Sequence, residues 1–359
     1  MRFSKAKARR FRLFHDCSFE LHPQRNFIVG ANAAGKTSLL EALYVASRGD
    51  SHRGATSSLV TDGESSFQIE VQVSNAAGCP DDRIDVRWQE RRIQLRINEQ
   101  SASLSDLVRR MPVLLVDPLA HRLVEEGPAI RRRFVDWGVF HMEPSFHPLW
   151  RRFNRALKQR NAALRAQASD REVASWTPEL VATADALTTL RRSYLDKLSE
   201  LVPSYWRQLV DESGWSLAFV SGWRDGERYA ETLLRTLEGD RHAGHTREGP
   251  HRAELRILSD NSLLKERISR GQQKLLIAGL ALAQGELYRQ RHDDTPVLLF
   301  DDFAAELSPL SQQRLLAQLE AWPGQIVATA LEYSPLLQAA TNHAMFHVEH
   351  GEITLKKMT

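Results

Sequence analysis

GANAAGKT, residues 30–37, is the stretch whose reading decides the fold. It has the G-x-x-x-x-G-K-T spacing of a phosphate loop. It is framed by the compact apolar run NFIV at 26–29 and by TSLLEALYVAS, whose apolar spacing predicts a buried helix. Placed between a strand and a helix N-terminus, backbone N–H groups of such a loop cradle phosphates, Lys36 reaches between the β and γ phosphates, and the Thr37 hydroxyl coordinates magnesium. The candidate nucleotide-binding residues are therefore Gly30, Ala31, Asn32, Ala33, Ala34, Gly35, Lys36 and Thr37. Gly35 supplies close backbone approach. Ala33 stands where glycine is frequent in related loops, and is expected to keep ordinary backbone angles.

The matching half of this site lies far along the chain. VLLFDD at 297–302 is an apolar strand that carries Asp301 and Asp302 to its C-terminal end, where ligands collect in an open α/β sheet. Asp301 suits magnesium coordination and Asp302 suits orienting or partly deprotonating an attacking water. Ser269, Arg270, Gly271 and Gln272 precede the apolar KLLIAGLALAQGELY, so the helix N-terminus there is read as sensing a γ phosphate. IVATA at 326–330 is a further strand, with Thr329 either sensing the γ phosphate or satisfying the backbone as a buried threonine. The expected fold class is α/β, a P-loop ATPase head assembled from both ends of the chain with a helical subdomain inserted.

Helical periodicity fills the middle, in LWRRFNRALKQRNAALRAQ and LVATADALTTLRRSYLDKLSELVPSYWRQLV, with Pro178 and Pro203 limiting or kinking individual helices. A polar linker is expected at 239–249. The division follows as 1–140 for the first part of the head, 141–249 for the helical subdomain and 250–359 for the returning part. Short strands are expected at 9–14 and 17–21, joined around His15 and Asp16, and Arg83, Arg87, Arg91, Arg92 and Arg96 form either a positive ridge or a solvated sheet face. The run Arg131, Arg132 and Arg133 starts a helix and offers candidate DNA contacts, as does the basic N-terminal segment.

Composition excludes little. The chain has 359 residues, 42% hydrophobic and 26% charged, with 48 basic against 45 acidic side chains, so charge alone permits nucleic-acid binding without demanding it. Two cysteines, Cys17 and Cys79, argue for free thiols rather than a disulfide framework. No run of about 18 apolar residues and no signal-like apolar core are present, so a cytoplasmic location without membrane association is expected.

Taken in order, NFIVGANAAGKTSLLEALY, RRRFVDW with FHMEPSF, LKQRNAALR, GPHRAEL, ISRGQQKLL and LLFDDFAAEL resemble the RecF family, bacterial DNA replication and repair ATPases related to the heads of chromosome-structure and double-strand-break repair ATPases. The resemblance spans nearly the whole chain. It implies an ABC-type head that binds ATP and magnesium, with residues 30–37 as Walker A, Ser269 to Gln272 as a signature acting in trans, Asp301 as the Walker B magnesium residue and Asp302 as the catalytic acid. It further implies an ATP-dependent homodimer with weak DNA-stimulated ATPase activity. Its DNA would be duplex or a single-strand/double-strand junction; RecR would bind directly, with RecO and RecA as functional partners. Ile268, Ala33, Glu254 and Ser308 depart from the common pattern, and Ser308, in place of an aspartate, bears on turnover. The alternatives are a non-catalytic ATP-gated DNA scaffold and a transport ATPase subunit.

Overall fold

The computed structural model describes residues 1–74, 81–210, 214–260, 262–264, 268–338 and 340–358. They divide into two compact units: Met1–Ala120 with Gln208–Val210 and Arg270–Thr359, and His121–Arg207 with Asp211–Ser269. The first unit joins the two ends of the chain, as expected for the head. The boundaries differ from the expected 140/141 and 249/250, because 121–140 and the described residues of 250–269 fall in the second unit.

Two six-stranded sheets build the head. One runs, in spatial order, Glu352–Met358, His343–Glu349, Arg25–Val29, Ile326–Ala330, Val297–Phe300 and Val113–Val116, with every pairing parallel except that of the two C-terminal strands. Parallel strands are covered on both faces, which is why VLLF is apolar throughout, IVATA is apolar but for Thr329, and both are buried at every position. The other sheet is antiparallel, led by Arg2–Phe11, Phe14–Glu20, Ser66–Ser74, Asp82–Gln89 and Arg92–Ile97. Its strands alternate, one face apolar and one charged. The first turn falls at Arg12 and Leu13 rather than at His15 and Asp16, which lie inside the second strand.

Between the sheets, the helix Lys36–Arg48 buries Leu39, Leu40, Leu43 and Val45. A single core mixes Phe3, Phe11, Ile28 and Val86 with Val297, Leu299, Val327 and Phe346. Burying each such side chain contributes about 1.5–3 kcal/mol. Neither end of the sequence holds this core alone, so the head closes only when both are present.

In the second unit the helices Pro128–Met142 and Phe146–Arg165, with residues 177–207 of the helix Thr177–Val210, dominate. Pro178 sits in the first turn of the last of these and Pro203 inside it, so neither proline ends that helix. A three-stranded antiparallel sheet of Trp215–Val220, Glu254–Ser259 and Ser262–Leu263 lies within the span expected to be helical and just after it. The expected linker also contains a helix, Leu237–Ala243, anchored by the buried Asp240.

Candidate nucleotide site

Residues 30–35 connect the strand Arg25–Val29 to the helix Lys36–Arg48. A Cβ on Gly30 would lie 2.3 Å from the Val348 carbonyl oxygen, and one on Gly35 2.8 Å from Phe14 Cζ, with Gly35 at φ +115°. Glycine is required at both positions by close approach, and at Gly35 also by the backbone angle. Ala33 departs from expectation. Its φ is +63°, in the left-handed region, so it does not keep ordinary angles and carries a strain of about 1–2 kcal/mol. Ala31, Asn32 and Ala33 are exposed at the loop's crest, while Lys36 is buried and donates from Nζ to the carbonyls of Gly30 at 2.7 Å and Ala31 at 2.8 Å. Burial pushes the Lys36 pKa down, and Asp302 and Asp301 pull against that shift.

The parallel registers bring the acidic strand to this loop. Phe300 pairs with Ala328, and Ile326–Ala330 pairs in turn with Arg25–Val29, so Asp301 emerges at the same sheet edge as residue 30. There the Thr37 hydroxyl donates to Asp301 Oδ1 at 3.1 Å. The Thr329 hydroxyl donates to the same oxygen at 2.5 Å and accepts from the Asp302 N–H at 2.7 Å. Thr329, wholly buried, therefore spends its hydroxyl on the two aspartates, the contact that its buried-threonine reading anticipates. Asp302 has φ +50°, a conformation tolerated better by aspartate than by most residues. Its pKa is raised, chiefly by burial and further by Asp301, with Lys274 and Lys36 opposing.

Two oxygen ligands, one hydroxyl and one carboxylate, thus converge beside the phosphate loop. That donor set fits magnesium, a hard ion that takes one or two protein oxygens and completes its shell with water and substrate phosphates. It needs no larger cluster, and among the described residues no group of three or more His, Cys, Asp or Glu side chains forms one.

The other anticipated residues are placed as follows. Arg270 and Gly271 open the helix Arg270–His292, directly after Ser269, and Gln272 lies in its first turn. A Cβ on Gly271 would meet the Glu306 carbonyl oxygen at 2.6 Å, so this glycine is held against the loop that follows Asp302. Ser308 caps the helix Pro309–Ala321, its hydroxyl accepting from the Ser311 N–H at 3.2 Å. Serine and aspartate serve equally as N-caps, so the departure at this position is structurally neutral. Of the three candidate arginines, Arg131 binds Glu254 at 2.6 Å and the carbonyls of Leu123 and Glu126, and Arg132 binds the Ala253 carbonyl at 2.8 Å. Both hold their own unit together, and only Arg133 is exposed. On the antiparallel sheet, Arg83 pairs with Glu70 and Arg87 with Asp85, and on the first strand Lys5 and Arg9 pair with Glu20 and Asp16. Of the five arginines of the ridge, Arg83 and Arg87 are thus paired, and Arg91, Arg92 and Arg96 are exposed. Cys17 is buried and free, its thiol pushed up to about 11 by burial, and Cys79 lies outside the described residues.

Two features escaped the sequence reading. Lys274, in the helix Arg270–His292, is buried and donates from Nζ to the carbonyls of Asp302 and of Ala305, the latter at 3.0 Å. It fastens the loop bearing Asp302 to the helix that begins at Arg270. Asp117 follows VLLV, which pairs residue for residue with VLLF, so Asp117 and Asp301 stand side by side at the sheet edge. Its carboxylate lies 3.5 Å from Nε2 of His52, whose pKa burial lowers. The near-identity of VLLVD at 113–117 and VLLFD at 297–301 was the available signal.

Comparison with known proteins agrees with this geometry. The RecF/RecN/SMC N-terminal domain model matches residues 3–354. The DNA replication and repair protein RecF of Stenotrophomonas maltophilia is 38% identical over 360 residues, covering 98% of this chain and 99% of that one. Its namesake in Shewanella denitrificans is 35% identical over 335 residues, covering 92% of each. Among solved structures, the recombination mediator protein RecF-ATPrS in the RecFOR pathway superposes with a TM-score of 0.86 at 21% identity, over 99% of this chain and 98% of that one. An Smc head bound to the C-terminal winged-helix domain of ScpA gives 0.59 at 14% identity, over 100% and 98%; these two likenesses speak to fold alone. A phosphate loop, a paired acidic strand and a near full-length match lead to one conclusion: the chain belongs to the RecF family, within the RecF/RecN/SMC group of P-loop ATPases.

Proposed function

We propose that the chain is an ATP-dependent DNA-binding protein of recombinational repair and replication restart. The observation that carries this reading is the run of oxygens from Thr37 through Asp301 to Thr329, closed on the Asp302 N–H, at the carboxyl edge of a parallel sheet. Relatives named for DNA replication and repair, and a fold neighbour described as a recombination mediator, supply the biological context. ATP seats its phosphates on residues 30–37, with Lys36 turning its ammonium from loop carbonyls to phosphate oxygens. Magnesium, held by Thr37 and Asp301, would supply neutralisation of the charge shared by the β and γ phosphates. Asp302 orients the attacking water and accepts its proton, a role that its raised pKa favours.

Ser269, Arg270, Gly271 and Gln272 act in trans, facing the phosphate loop of a second copy in an ATP-closed homodimer that hydrolysis resets. Its DNA is duplex, gapped or a single-strand/double-strand junction; RecR binds directly, and RecO and RecA take part in the loading that follows. A transport role would require a membrane partner, and no helix among the described residues is long and apolar enough to cross a membrane.

The test is ATP turnover over a protein-concentration series, with and without short gapped duplex, for the unaltered chain and for Lys36→Ala. Steeper-than-linear dependence on protein and stimulation by DNA are expected, with Lys36→Ala losing both turnover and ATP-dependent DNA retention. Absence of turnover in every condition would turn the reading to an ATP-gated scaffold. Retention unchanged in Lys36→Ala, with no measurable ATP binding, would sever the coupling.

A further inference from the structure

The helix Phe146–Arg165 carries six arginine and lysine side chains and no aspartate or glutamate. Two of the six are spoken for. Arg160, on the buried face with Phe153, Ala156 and Leu164, is 1% exposed and binds Asp240 at 2.9 Å and the Thr246 hydroxyl at 2.5 Å. Arg152 forks onto Glu179 at 2.7 and 2.9 Å. The other four, Arg151, Arg155, Lys158 and Arg165, are exposed, and among the described residues none enters an ion pair. At about 100° per residue they fall within an arc of roughly 80°, opposite the buried face, and extend over about 21 Å of helix.

That arrangement runs against what a solvated helix face prefers. Like charges at i,i+4 (Arg151 and Arg155) and at i,i+3 (Arg155 and Lys158) each destabilise a helix by about 0.2–0.5 kcal/mol. Surface helices ordinarily interleave the two signs. Glu179 and Asp240, which do reach this helix, are bound to Arg152 and Arg160, so nothing described in the chain relieves the row. A straight file of cations on a rigid element also differs from the convergent arginine cluster that grips one phosphate or one carboxylate. It matches an extended polyanion, and duplex DNA presents one negative charge per about 1.7 Å of its axis.

We propose that Arg151, Arg155, Lys158 and Arg165 form a contact site for the phosphodiester backbone of duplex DNA, sequence-independent and salt-sensitive. This rests on the DNA-binding reading above and adds to it the surface that does the binding, in place of Arg131 and Arg132. Backbone contacts of this kind position the protein without reading bases.

The experiment measures duplex affinity by fluorescence anisotropy across a salt series, with ATP and magnesium present. It compares the unaltered chain, a variant with Arg151→Gln, Arg155→Gln, Lys158→Gln and Arg165→Gln, and a control with Arg171→Gln, Arg224→Gln, Arg228→Gln and Arg256→Gln. Each lost phosphate contact flattens the slope of log affinity against log salt by about 0.9, so the helix variant changes it by about 3–4. Over a roughly fourfold rise in salt, the unaltered chain then loses about 100-fold more affinity than that variant. The control, with the same net charge, keeps the original slope. Glutamine is close to arginine in helix propensity, and far-UV circular dichroism verifies the fold. Should the quadruple variant misfold, Arg155→Gln alone carries the test, with a slope change of about 0.9.

A helix variant whose slope moves no more than the control's overturns the proposal and leaves the DNA reading standing. An unaltered chain that binds no duplex at any salt removes both. Displacement by polyglutamate as efficient as by unlabelled duplex at matched charge would assign the row to an acidic protein segment and overturn it as well.

Discussion

In the head, two buried ammoniums, Lys36 and Lys274, give their hydrogen bonds to loop carbonyls, those of Gly30 and Ala31 and those of Asp302 and Ala305. In the second unit, guanidiniums are matched to carboxylates: buried Arg160 to Asp240, buried Arg191 to Asp136 in a fork of 2.8 and 2.9 Å, and half-buried Arg131 to Glu254. A carbonyl is a neutral acceptor that a phosphate oxygen outcompetes, and burial has already lowered the pKa of both lysines. A forked guanidinium–carboxylate pair is satisfied in charge and geometry at once and has nothing to offer a ligand. Neutral partners do not by themselves mark function, since buried Arg25 also donates to carbonyls, those of Thr341 and Glu320; Lys36 and Lys274 differ in that their carbonyls belong to the phosphate loop and to the loop after Asp301.

Four substitutions press on this contrast, in falling order of expected effect. Asp302→Asn keeps the side chain's shape but removes the carboxylate that is proposed to act as the base. ATP turnover should fall by about 10²–10⁴-fold while nucleotide titration shows unchanged binding, and the closed dimer should persist longer. Rapid opening would remove the assigned role. Asp240→Ala leaves Arg160 buried without its carboxylate and should destabilise the second unit by about 3–5 kcal/mol. Urea unfolding followed by tryptophan fluorescence reads this directly, because Trp137, Trp150, Trp176, Trp206, Trp215 and Trp223 all belong to that unit. A loss below about 1 kcal/mol would put the pair in the class of surface bridges.

Lys274→Met tests whether a cation on carbonyls serves the site. It deletes two hydrogen bonds to the loop bearing Asp302, for a loss of about 1–3 kcal/mol. The expected signature is a kcat reduced about tenfold with KM for ATP little changed, since the loop's alignment rather than phosphate binding is disturbed. A rise in KM alone would contradict this. Ala33→Gly should be the mildest. Relief of left-handed strain, less the about 0.4–1 kcal/mol of chain entropy that glycine adds to the unfolded state, leaves a gain of about 1 kcal/mol or less. A small increase in thermal midpoint, with ATP affinity held or improved, is the result to look for.

Much of the head was legible because its signals are local. GANAAGKT and VLLFDD each report the geometry of a few consecutive residues, a loop before a helix and an apolar strand ending in carboxylates, and parallel strands buried on both faces leave an unmistakable apolar run. The helical middle was legible from its period. Less was readable in the second unit, where the strand Trp215–Val220 and the helix Leu237–Ala243 are short and owe their form to neighbours distant in sequence.

By itself, the sequence determined that a P-loop head is assembled from both ends of the chain around a helical insertion, and it named Lys36, Thr37, Asp301 and Asp302. Only the tertiary structure decided what each polar side chain faces. It turned Thr329 onto Asp301, set Lys274 beneath Asp302, brought Asp117 beside Asp301, and separated Arg131 and Arg132, consumed inside their unit, from the unpaired row on Phe146–Arg165. The reason is physical. Propensity and periodicity describe the backbone within a few residues, whereas the partner of a buried donor is chosen by packing between segments 28 to 264 positions apart.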